Sequence, residues 1–70
     1  MTKMLPVYSS HVDQIGYEPS TSELHVKWQD GKVSIYSDVS AQKAKQVMGS
    51  WSVGKALTEQ VKNVHPHRYG

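Results

Sequence analysis

The 70-residue chain contains no cysteine and no phenylalanine, only 3 prolines and 5 glycines, and little net charge, +2 at pH 7. Without cysteine there is no disulfide framework, no thiolate metal site and no cysteine nucleophile, a pattern that fits a reducing cytoplasm. The opening stretch Met1-Thr2-Lys3-Met4-Leu5-Pro6-Val7 is interrupted by proline and lacks the apolar core of a signal peptide. No apolar run approaches the roughly 20 residues that a spanning helix needs, so no membrane association is expected. With 37% hydrophobic residues, the chain is read as one domain over 1–70, with 1–8 and 65–70 as less ordered tails. A single core of this size supplies only about 3–5 kcal/mol of net stability. That leaves little to organise a catalytic site, and a non-catalytic role is expected.

The modest overall charge hides an asymmetry. Residues 1–39 carry three lysines against five carboxylates, a net of −2, whereas residues 40–70 carry Lys43, Lys45, Lys55, Lys62 and Arg68 against Glu59 alone, a net of +4. Such a division points either to a face that attracts anions or simply to solvated helix lysines.

Periodicity changes along the same divide. Residues 10–18 alternate around Val12, Ile15 and Tyr17, and Gly16 marks a bulge or a close backbone approach. Pro19 to Ser22 form a turn. Leu24, Val26 and Trp28 then alternate with Glu23, His25 and Lys27, as in a strand with one buried face. Gln29-Asp30-Gly31-Lys32 supplies a hairpin turn and Val33 to Ser37 a third strand. In this reading Val33 and Ile35 join Leu24, Val26 and Trp28 in the core, and Tyr36 faces the other way. From Ser40, a plausible N-cap, Ala41, Ala44, Val47 and Met48 fall at helical spacing up to Gly49. Val53, Leu57, Val61 and Val64 mark a second helix from about Ser52 to Asn63. Neither helix is long enough to stand alone and a bare three-stranded sheet exposes its apolar face. The expected fold is therefore α+β, a three-stranded antiparallel meander with two short helices on one face, in the order β-β-β-α-α.

Candidate chemistry concentrates in the second half. Gly49-Ser50-Trp51-Ser52-Val53-Gly54-Lys55-Ala56 matches a phosphate-binding loop except at Ala56, where a Mg²⁺-binding hydroxyl is required. The loop also follows a helix rather than a strand, so nucleotide hydrolysis is excluded. Serines, a glycine and a lysine at a helix start still form an anion-seating candidate, Ser50, Ser52, Gly54 and Lys55. The alternative is that Ser52 caps the helix and Gly54 relieves a tight junction. Lys62 and Arg68 are further phosphate candidates. The rings are Tyr8, Tyr17, Trp28, Tyr36, Trp51 and Tyr69; of these, Tyr36, Trp51 and Tyr69 are candidates for stacking on bases. Alternatively, Trp51 closes the gap between the helices. The four histidines have no metal-ligand spacing, and no metal or cofactor is expected.

The order Ser9-Ser10-His11-Val12-Asp13-Gln14-Ile15-Gly16-Tyr17-Glu18, Leu24 to Gly31, Ile35 to Val39, Ser50 to Lys55, Val61-Lys62 and Arg68-Tyr69 resembles the KTSC domain. That small domain is named for the C-terminus of some lysyl-tRNA synthetases and also occurs as free-standing bacterial and phage proteins. The resemblance extends from about Ser9 to Tyr69. The chain departs from the family pattern at Ser34, which takes the place of the first tyrosine of a Tyr-x-Tyr, and at Trp28, where relatives carry phenylalanine. Lys55-Ala56-Leu57 also replaces a more aromatic run. The family has no established activity. The resemblance implies RNA binding as proposed from the synthetase context, or, for a free-standing copy, a protein partner or homo-oligomer, including a phage or prophage accessory protein.

Overall fold

The computed structural model describes residues 3–7, 9–62 and 64–69. Five strands form one antiparallel sheet in sequential order: β1 (Leu5–Pro6), β2 (Val12–Glu18), β3 (Glu23–Trp28), β4 (Val33–Tyr36) and β5 (His67–Tyr69). Between β4 and β5 lie α1 (Ala41–Met48) and α2 (Val53–Leu57), the latter continuing as a π-helical turn over Thr58–Lys62. The α+β meander with two helices on one face is as expected. The sheet gains two edge strands from stretches read as tails: β1 pairs with β2, Leu5 opposite Ile15, and β5 pairs with β4, Arg68 opposite Ile35.

Local chemistry accounts for the boundaries. Ser40 is the N-cap of α1, its hydroxyl accepting from the Lys43 amide at 3.1 Å, and Gly49 ends the helix by donating to the Lys45 carbonyl. In β2 the pairing with β3 slips between Val12 and Gln14. Gly16 is a close approach: a side chain there would run into the Lys3 carbonyl and the Met4 sulfur. The wider turn after Leu57 offsets the drift of an i, i+4 row in a 3.6-residue helix, so Val53, Leu57 and Val61 all stay buried. Val64, expected in the same row, is 60% exposed; the expected helix end at Asn63 and the ring of Tyr8 lie outside the described residues.

The core joins Val12, Ile15, Leu24, Val26 and Tyr36 of the sheet to Val39, Ala44, Val47, Val53, Leu57 and Val61. Strand β4 corrects the sequence reading. Tyr36 is 2% exposed and inside, whereas Val33 and Ile35 lie on the outer face with His25 and Arg68. The hairpin loop explains the inversion. The Gly31 amide donates to the Trp28 carbonyl, Gly31 adopts φ 90°, and the Trp28 amide donates to the Lys32 carbonyl at 2.8 Å. The loop is therefore three residues, Gln29 to Gly31, closed by a glycine in the left-handed region. Lys32 stands opposite Trp28, so Lys32, Ser34 and Tyr36 all turn to the helix side, since a one-residue change of register reverses a strand's faces.

The last strand is tied to the start of α1. His65 Nδ1 lies 3.1 Å from the Ser37 carbonyl and its Nε2 2.9 Å from Lys43 Nζ, while the Ser37 amide donates to the Pro66 carbonyl at 2.9 Å. The ammonium can only donate, so Nε2 accepts and Nδ1 donates.

Candidate nucleic-acid interface

The second helix presents two rows of side chains. Val53, Leu57 and Val61 enter the core, and the next row, Gly54, Thr58 and Lys62, borders a cleft of about 490 Å³. The opposite wall is the inner face of β3, β4 and β5, with Trp28, Ser34, Tyr36, His67 and Tyr69, and the hairpin brings Asp30 and Lys32 to the rim. His67 faces Tyr36 across the strand pair with ring centroids 5.5 Å apart, and Tyr69 meets His67 edge-on at the same separation. At the floor, the Trp28 indole N–H donates to Ser34 Oγ at 2.8 Å, and Tyr36 lies two residues along on the same face of β4. Burial, with the Tyr69 phenol nearby, raises the Tyr36 phenol above its ordinary pKa, so it stays neutral and able to donate.

Beside the cleft and sharing His11, Gly54 and Thr58 with it lies a second recess, bordered by Ser9, Ser10, Trp51, Ser52, Lys55 and Glu59. Trp51 is wholly exposed rather than packed between the helices. Ser52 occupies the N-cap position of α2 without a side-chain capping bond. Its amide donates to Ser50 Oγ at 3.3 Å, and the Ser50 hydroxyl folds back on the Ser52 carbonyl at 3.3 Å, away from any anion seat. Gly54 lets α2 approach the segment that leads into β2, since a Cβ there would sit 3.0 Å from Ser9 Oγ.

Apart from Ser50, which borders neither recess and whose hydroxyl bonds only to the Ser52 backbone, the sequence-chosen residues fall into three places. Tyr36, Tyr69, Gly54 and Lys62 share the cleft; Trp51, Ser52, Lys55 and again Gly54 share the neighbouring recess. Arg68 stands apart. It points to the outer face of the sheet, where its guanidinium holds the Glu23 carboxylate at 2.6 Å. That bond, followed by one from the Thr21 hydroxyl, holds the Glu23 carboxyl below the usual carboxylate range. Sequence reasoning missed His67, Ser34, Thr58, Lys32 and the cleft role of Trp28. The spacing of four in Gly54, Thr58 and Lys62 is the signal that locates the helical wall. Across the two recesses three lysines meet two carboxylates, Asp30 and Glu59. Among the described residues no three His, Asp or Glu side chains are grouped as a metal centre requires, and no helix is long and apolar enough to cross a membrane.

A family model of the KTSC domain matches residues 8–65. The chain belongs to the KTSC domain family. The crystal structure of a KTSC domain protein from Yersinia pestis superposes with a TM-score of 0.94, covering 100% of this chain and 99% of the other at 23% identity, which establishes the shared fold. No curated protein matches the chain. No catalytic family is indicated by these comparisons. Trp28 and Ser34, the two strand positions expected from the sequence to depart from the family pattern, are hydrogen-bonded to each other in this KTSC domain.

Proposed function

We propose that this KTSC domain is a non-catalytic, cytoplasmic nucleic-acid-binding module that takes single-stranded RNA across the cleft and the adjoining recess. The observation that carries the reading is the convergence of ring surfaces and lysines on one side of α2: Tyr69 and Trp51 exposed for stacking, Lys62 and Lys32 at the cleft, Lys55 beside Trp51. Stacking on successive rings is sequence-tolerant and contributes about 1–3 kcal/mol per base, while the lysines meet phosphates. Arg68, engaged with Glu23 on the far face, has no part in it.

The test is Trp28 and Trp51 fluorescence during titration with short single-stranded RNA, double-stranded RNA and single-stranded DNA at two salt concentrations. Saturable binding to the single strands is expected, with a log–log salt slope of about −2 for three phosphate contacts. It should be lost in Lys55→Ala plus Lys62→Ala and retained in Arg68→Ala. Absence of any change up to about 100 μM, the weak end of non-specific binding, would overturn the reading. The wholly exposed Trp51 also favours a second reading, a protein-interaction module or small homo-oligomer. A partner held by that ring should bind with little dependence on salt.

A further inference from the structure

Resting on the nucleic-acid reading, we propose that the cleft and the adjoining recess form one continuous track for a single strand, and that the His11 ring is its middle stacking surface, between Tyr69 and Trp51. The two recesses meet at three residues, His11, Gly54 and Thr58. Gly54 has no side chain to offer a ligand, and the Thr58 hydroxyl is turned back on the Gly54 carbonyl at 2.9 Å. His11 therefore supplies the one ring at the crossing. A strand that reaches from Tyr69 to Trp51 passes over it.

The local structure holds this residue firmly by its backbone and leaves its ring unused. His11 directly precedes β2; its amide donates to Ser9 Oγ at 3.2 Å, and its carbonyl accepts from the Gln29 amide at 2.8 Å. The Gln29 side-chain amide braces the same segment by donating to the Ser9 carbonyl at 3.3 Å and to the Val12 carbonyl at 3.2 Å. His11 is nevertheless exposed, and among the described residues its side chain makes no hydrogen bond, ion pair or ring contact. A ring carried on a fixed backbone loses little freedom when a flexible strand arrives, which favours the contact. Stacking on a ring is tolerant of sequence, so His11 extends the track without choosing a base. Lys32 and Lys62 in the cleft and Lys55 in the recess meet the phosphates on either side of it.

The experiment is titration of the wild type, His11→Ala and His11→Tyr with a mixed-sequence single-stranded RNA at several salt concentrations. An oligomer of about eight nucleotides crosses the 28 Å longest dimension of the molecule at about 3.4 Å per stacked nucleotide. With RNA in excess, the wild type should bind one oligomer per chain. His11→Ala should weaken binding about fivefold, the low end for one base on a ring, with the salt slope unchanged. His11→Tyr keeps a ring at the crossing and should restore the affinity. Thermal melting checks the fold of both variants. Two oligomers per chain would show two separate sites and overturn the track. Undiminished affinity in His11→Ala, or a loss that His11→Tyr does not restore, would overturn the role of the ring. A loss accompanied by a salt slope shallower by about 0.7 would assign His11 to a phosphate and overturn the stacking contact. Each of these outcomes leaves the nucleic-acid reading intact, whereas no saturable binding to the wild type would overturn both.

Discussion

The same second helix serves two regions built from different materials. On its inner row, Val53, Leu57 and Val61 meet Val12, Ile15, Leu24 and Val26, aliphatic groups that interlock and leave no polar atom to satisfy. One residue further round, Gly54, Thr58 and Lys62 face Trp28, Ser34, Tyr36, His67 and Tyr69, where the side chains carry hydroxyls, ring nitrogens and a charge and leave an open cleft between them. The first region derives its worth from exclusion of water. The second derives its character from polar tips held in fixed places, and it is organised only because the first is rigid. A domain this small cannot afford both ends filled and still keep a recess.

The largest effect that separates the regions should come from Leu57→Ala. It removes a wholly buried side chain at the centre of the aliphatic row and is expected to cost about 3 kcal/mol, lowering Tm on the order of 15 °C and taking the cleft with it. Ser34→Ala should cost about 1–2 kcal/mol, because the half-buried Trp28 indole loses its acceptor; its signature is a shift in Trp28 fluorescence ahead of any loss of helix signal. Tyr36→Phe sharpens the contrast through pH. The folded phenol holds its proton above the pH at which the unfolded chain releases it, so its contribution is intact below about pH 10 and is lost as pH rises further. Alkaline melts of the wild type should therefore decline, and those of Tyr36→Phe should be flatter. On the outer face the sign reverses. The Glu23 carboxyl is held low by Arg68 and Thr21, so its contribution is present above the ordinary carboxylate range and lost as pH falls through it. Glu23→Gln should remove that acid-side dependence and increase amide exchange at β5. Trp51→Ala should move stability by less than about 0.5 kcal/mol, since the side chain is wholly exposed, and any loss of ligand binding then belongs to contact.

The aliphatic region was legible in the sequence because period alone defines it: Leu24 and Val26 at spacing two, and Val53, Leu57 and Val61 at spacing four, stand where expected. The ring-lined region was not. Val33 and Ile35 outrank Ser34 and Tyr36 as hydrophobes, so strand alternation reads inside out. The decisive fact is the length of the loop before them, set by Gly31 in the left-handed region rather than by any side chain of the strand. Strand β5 escaped notice because three residues beside Pro66 carry no period. It exists through its pairing with β4 and the bonds of Ser37 to Pro66 and His65. Arg68 was grouped with the other cations by charge, whereas pairing direction sends it to the face opposite His67 and Tyr69. The rings chosen for their polar tips, Tyr36 and Tyr69, do meet in one place, but only the fold shows that Trp28 and His67 join them.

The fastening of His65 to Ser37 and Lys43 has a consequence for how the molecule opens. Every core side chain precedes residue 62, and the outer wall of the cleft is laid on afterwards, by a short exposed edge strand held by its pairing with β4, the Arg68–Glu23 ion pair and a few polar bonds at its near end. The cheapest local opening is therefore the release of this strand, which dismantles the recess and leaves the aliphatic interior whole. Occupancy of the recess and integrity of the fold become separate equilibria. A ligand seated against Tyr69 would slow amide exchange in residues 67–69 by a factor set by its own concentration, while the exchange of β2 and β3 would follow global unfolding.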